Sequence, residues 1–125
     1  MENTAYERGL KKLAEVDGAA GERVIASLAD ISPDFGRYIV GFGFGEIYSR
    51  PGLSLQQREL ITVAMLTAMG NAQPQLKVHL SAALNVGLSR TEIVETMIQA
   101  GIYAGFPAAL NGLFAAKEVF AEHGV

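Results

Sequence analysis

The chain has 125 residues, of which 50% are apolar and 18% charged, with a net charge of -3, two histidines and no cysteine. That length suits a single domain over residues 1–125 with a real core. The acidic balance and the absence of any basic run argue against nucleic acid as a partner, and without cysteine there is no disulfide, thiolate metal site or thiol redox step.

So apolar a composition exceeds what a small monomer can hide, and a homo-oligomer of closed symmetry is the expected outlet. The N-terminal MENTAYERGLKK has no apolar leader, and no apolar run reaches the roughly 20 residues of a membrane span. A cytoplasmic location without a membrane partner is the expectation.

In chain order, an amphipathic helix is predicted from Asn3 or Thr4 to about Val16, with Ala5, Leu10, Leu13 and Ala14 at helical spacing. A second helix over 19–31 carries Val24, Ile25, Leu28 and Ile31 on one face, and Asp17 and Gly18 separate the two. Ser32 before Pro33 is a strong start for a third, running to about Tyr48, because proline at the first helical position gives up an amide that has no partner anyway. Within it Gly36, Gly41, Gly43 and Gly45 each cost up to about 1 kcal/mol against alanine. They alternate with Phe42 and Phe44, which reads either as close packing against a partner helix or as backbone approached by a ligand.

Ser49 to Gly52 form a turn, and Ser54 with Gln57 reads as a capping box for a fourth helix ending at Gly70. Its apolar residues, Leu60, Ile61, Val63, Ala64, Met65, Leu66, Ala68 and Met69, point in nearly every direction. A helix of that kind is expected at the centre, buried on all sides. Pro74 sits in the first turn of a fifth helix ending at Gly87. Ser89 with Glu92 is a second capping box, opening a sixth through Val94, Met97, Ile98 and Ile102. Gly105 breaks that one, and Pro107 starts a seventh ending near Glu122. No useful period-two stretch occurs, so the class is all-α, a compact bundle of six or seven helices.

His79 falls at the margin of the inward face marked by Leu76, Leu80, Ala83 and Leu84, and Glu59 begins the preceding antiparallel helix. Together they make a usual acid/base pair. Taken singly, the imidazole could be a satisfied structural group and the glutamate a favourable charge in a first turn. Arg50, in the turn before the fourth helix, offers a guanidinium beside free helix-start amides, suited to a carboxylate. Glu46 could pair with it at i+4, while Arg58 and His123 read as ordinary surface charge. Two distant histidines make no closed metal set, and GFGFGE lies inside a helix rather than after a strand, so it is no dinucleotide fingerprint. The expected chemistry is cofactor-free.

GEIYSRPGL (45–53), RELITVAMLTAMG (58–70), LKVHLSAALNVGLSRTEIVE (76–95) and IYAGFPAALNGLFAAKEVF (102–120) together resemble the γ-carboxymuconolactone decarboxylase family over nearly the whole chain. The resemblance implies an all-helical fold assembling as a ring-shaped homo-oligomer, a hexamer. It also implies conversion of 4-carboxymuconolactone to 3-oxoadipate enol-lactone and carbon dioxide, in the protocatechuate branch of aromatic degradation. His79 and Glu59 match the superfamily's histidine and glutamate and are the expected proton donor and its partner; on chemical grounds Arg50, with Glu46 beside it, is expected to hold the substrate's carboxylates, and Phe42, Tyr103 and Phe106 to form an apolar wall near the departing one.

Alkyl hydroperoxidase D-like relatives in the wider superfamily place a CxxC pair upstream of such a histidine. Here Ala72 and Gln75 stand in those places, so thiol peroxidase activity is disfavoured. Established pathway decarboxylases have a small polar residue where this chain has Glu59 and an aromatic such as tryptophan where it has Tyr48. That departure leaves open a relative acting on another small carboxylated substrate, or a non-catalytic binding or assembly protein.

Overall fold

The computed structural model describes residues 4–125. Among them the regular elements are seven α-helices and one π-helix, with no strand, the outcome expected of a chain without period-two patterning. They fall into two compact units, one up to Leu55 and one from Gln56 onward.

In the first unit, α1 (Ala5–Asp17) is capped by Thr4, whose hydroxyl accepts from the Glu7 amide, and buries Leu13 and Val16. Asn3, the other candidate start, lies outside the described residues. The second helix, α2 (Ala19–Ala26), stops short of the expected Ile31. Residues 27–31 form turns in which the Ser27 hydroxyl donates to the Val24 carbonyl, the kind of local bond by which serine competes with helix continuation. Ser32 then caps α3 (Pro33–Tyr38) through the Phe35 amide, with proline in the first turn.

The helix does not continue to Tyr48 in α form. Residues Ile39–Ile47 widen into a π-helix, where the Tyr48 amide donates to the Gly43 carbonyl five residues back. Gly41, Gly43 and Gly45 weaken the α preference of this run. Two glycines fix its packing on α1. A Cβ on Gly45 would stand 1.9 Å from the Ala5 carbonyl oxygen, and one on Gly9 would stand 1.9 Å from that of Val40, so backbone meets backbone at both points. Gly41 and Gly43 face open space.

The second unit holds α4 (Leu55–Met69), α5 (Gln73–Asn85), α6 (Arg90–Ala104) and α7 (Phe106–His123). Its core is formed by Val63, Leu76, Leu80, Ala83, Leu88, Ile93, Met97, Ala115, Ala116, Val119 and Phe120. The Ser89–Glu92 capping box is fully formed. Gly105, at φ 97°, makes the sharp break between α6 and α7 that only glycine adopts without strain.

The expectation that α4 is buried on all sides is corrected. It buries one stripe, Glu59, Val63 and Thr67, with Leu60 and Leu66 partly covered against the core. Ile61, Met65 and Met69, one helical turn apart, remain exposed. Uniform apolarity records every surface that covers a helix, including any that does not belong to its own chain.

Candidate active site

α4 and α5 are joined by a short turn through Gly70, at φ 75°, and run antiparallel. The side-chain amide of Gln56 at the start of α4 donates to the Val86 carbonyl at the end of α5, at 2.8 Å. The same pairing brings position 59 opposite position 79. Leu76, Leu80 and Ala83 anchor α5 in the core, which turns His79, on an adjoining face, toward α4.

Nδ1 of His79 lies 2.8 Å from Oε1 of Glu59. The glutamate is fully buried, whereas the histidine side chain keeps 19% of its surface. An ionised carboxylate can only accept, so in this contact Nδ1 carries the hydrogen. When the ring is neutral, that tautomer puts the lone pair on Nε2. The pair can accept a proton at Nε2 and return it, with the developing imidazolium stabilised by Glu59. As metal donors the two side chains supply one nitrogen and one oxygen.

The other residues singled out from sequence fall in both units. In the first unit, Phe42 and Glu46 lie on the exposed part of the π-helix and Arg50 in the turn after it, also exposed. In the second, Tyr103 is 86% exposed and lines an open cleft of about 700 Å³ between α4 and α6. Phe106, 75% exposed, lines a separate groove between α6 and α7. Glu59 and His79 line neither hollow. His123 hydrogen-bonds Ser81 at 3.1 Å on the outside of the bundle.

The α4–α6 cleft was not anticipated from the sequence. Its floor is Leu60, Ile61, Ala64, Ala68, Ala100 and Ala104, and its ionisable lining is Glu92 and Glu95, with no lysine or arginine. A carboxylate would be repelled there, which sets the cleft apart from any site for an anionic substrate. The signal that could have found it is the pair of small residues four apart on each helix, Ala64 with Ala68 and Ala100 with Ala104, which hollow out the space between them.

The family model for the carboxymuconolactone decarboxylase family matches residues 33–118. The chain is also 37% identical, over 121 residues, to a 4-carboxymuconolactone decarboxylase of Acinetobacter baylyi, spanning 96% of this chain and 90% of that protein. This chain belongs to the carboxymuconolactone decarboxylase family. A further similarity, 28% identity over 117 residues, covers 90% of the chain and 79% of a nitrosuccinic acid decarboxylase of Metarhizium robertsii. An uncharacterized 15.0 kDa protein of Paracoccus denitrificans is 38% identical over 80 residues, 63% of this chain and 60% of that protein. The family match includes both Glu59 and His79, and the two relatives with a named activity are both decarboxylases.

Proposed function

We propose that this protein is a cofactor-independent decarboxylase of small carboxylated, enolisable substrates, with 4-carboxymuconolactone as the first candidate and the protocatechuate branch of aromatic degradation as its setting. The observation that carries the reading is the Glu59–His79 contact, a buried carboxylate fixing an imidazole that still reaches the surface. It is supported by the similarity, over nearly the full length, to a protein named for that reaction.

The chemistry suits such a pair. Loss of carbon dioxide from the γ-carbon of a butenolide leaves a dienolate delocalised into the lactone carbonyl, so the substrate supplies its own electron sink. What remains for the protein is to bind carboxylate, stabilise the enolate oxygen and deliver one proton to carbon. We assign the proton to Nε2 of His79 and the ring's orientation to Glu59. Arg50 is assigned to carboxylate binding on its chemistry alone, a planar fork matched to that group. We further propose that the protein works in the cytoplasm as a homo-oligomer, a hexamer.

The test is a spectrophotometric turnover assay with 4-carboxymuconolactone, run on the wild type beside His79→Ala and His79→Gln at equal oligomer concentration. Removing the imidazole leaves buried Glu59 short of a partner and costs about 3 kcal/mol. The glutamine variant, which can still donate to Glu59, separates chemistry from stability. Turnover in the wild type and its loss in both variants is the expected result. Undiminished turnover in His79→Gln removes His79 from the mechanism, and an inactive wild type rejects the named substrate.

A further inference from the structure

The cleft between α4 and α6 has no part in the chemistry proposed for Glu59 and His79. At about 700 Å³ it nonetheless has the volume of a small-molecule pocket, roughly 300–1,000 Å³. Its α4 wall is wholly apolar, Leu60, Ile61, Ala64 and Ala68, whereas the α6 wall changes along its length from Glu92 and Glu95 to Ala100, Tyr103 and Ala104. Of the bare stripe on α4 only Ile61 reaches it; Met65 and Met69 do not.

The two acids differ. Glu92 is accounted for by folding, since its carboxylate accepts from the Ser89 amide at 2.9 Å as half of the capping box. Glu95 makes no hydrogen bond or ion pair among the described residues. It also stands beyond the first turn of α6, out of range of the helix-start charge that favours an acid. An exposed glutamate is commonly just solvated, but this one borders an apolar hollow that has no lysine or arginine in its lining. Gln99 and Tyr103 follow Glu95 at four-residue steps on the same face. Tyr103 is 86% exposed, with no ring or cation against it among the described residues. Eight residues of helix set Glu95 and Tyr103 about 12 Å apart.

We propose that the α4–α6 cleft is a second binding site, for an arylalkyl ammonium ion, with the ammonium at Glu95, the chain over Ala64, Ala68 and Ala100, and the aryl ring against Tyr103. A different force recognises each part. The unpaired carboxylate selects a cation over a neutral or anionic group, the alanine floor takes the chain by apolar burial, and the phenol ring offers a face for offset stacking. The spacing of the two ends sets the ligand's length at about that of a phenyl group on a four-carbon chain. The same carboxylates turn away an anionic substrate, so the site holds or fails whether or not the protein is a decarboxylase.

The probes are 4-phenylbutylamine, 4-phenylbutanol and 4-phenylbutanoate, which share one body and differ in charge, the amine being protonated at neutral pH as lysine is. Each is titrated into the wild type, Glu95→Gln and Ala104→Trp, with binding read from the ligand's own NMR signals by saturation transfer. Glu95 and Ala104 are both exposed, so neither change disturbs the core, and far-ultraviolet circular dichroism checks that each variant keeps its helices. The expected result is amine binding to the wild type with a dissociation constant of about 1 mM or tighter, ordinary for a molecule of that size. The amine should bind about fivefold tighter than the alcohol, the worth of an ion pair open to water, and the carboxylate more weakly than both. Glu95→Gln should bring the amine to the affinity of the alcohol and leave the alcohol unchanged, and Ala104→Trp, which fills the cleft, should abolish binding of both. A wild type that does not bind the amine overturns the proposal, as does one that binds amine and alcohol equally. Amine binding undiminished in folded Ala104→Trp overturns it too, because the amine then sits elsewhere.

Discussion

At the scale of single residues, the arrangement that matters is an imidazole held at one nitrogen by a buried carboxylate. Nδ1 of His79 is held by a fully buried Glu59, so under the proposed mechanism the glutamate acts through the histidine as a positioning residue. Glu59→Gln keeps the shape but replaces an acceptor with an amide that can either donate or accept, and the tautomer is no longer fixed. Under the proposed mechanism kcat falls by on the order of 10²-fold or more while KM changes little. Nitrogen-15 NMR of the histidine ring gives a readout that a purely structural role would not move. The wild type should show hydrogen on Nδ1, and the variant a mixture of tautomers. An unchanged tautomer in Glu59→Gln would mean that another group sets the ring. The pair itself could be read from the sequence, because an antiparallel helix pair with known ends fixes which positions face each other. The placement of Tyr103 and Phe106 on two other hollows could not, since it depends on how far α6 and α7 rotate about their axes, and near-uniform apolarity leaves that rotation undetermined.

At the scale of elements, the glycines of residues 36–45 divide by what stands opposite them. Gly45→Ala would drive a methyl group into the Ala5 carbonyl, and Gly9→Ala would do the same at Val40. Backbone cannot swing aside as a side chain can, so each should cost about 3 kcal/mol, at the upper end of overpacking losses. Gly41→Ala and Gly43→Ala meet nothing, so they should be neutral or stabilise by up to about 1 kcal/mol. Urea denaturation of the four variants checks the contrast; equal effects at positions 41 and 45 would refute the close approach of α1 to the π-helix. Within the chain, close packing accounts for Gly45, while Gly41 and Gly43 face open space. Capping was legible in advance because it is local. At Ser89 both halves of the box are made, and Ser89→Ala should cost about 1 kcal/mol in the same measurement. The change from α to π winding after Tyr38 was not legible, because both helices present similar spacing over so short a run.

At the scale of the whole molecule, the all-helical class follows from periodicity and the helix ends from serine, proline and glycine punctuation. Where α4 sits does not follow, because a sequence records total burial without saying which chain supplies it. Under the proposed homo-oligomer, the apolar surplus in the composition and the bare Ile61–Met65–Met69 stripe are one fact seen at two scales, and stability becomes a function of concentration. If copies associate through α4 only when folded, association stabilises the native state by mass action, and the melting temperature rises with protein concentration. For the wild type a hundredfold increase in concentration should raise it by several degrees. For Met65→Glu the dependence through this contact should vanish, with a melting temperature at high dilution close to that of the wild type, because the substituted side chain is already in water in the single chain. A variant melting well below the wild type at high dilution would mean that Met65 supports the fold of its own chain. The bare stripe would then need an explanation within one molecule.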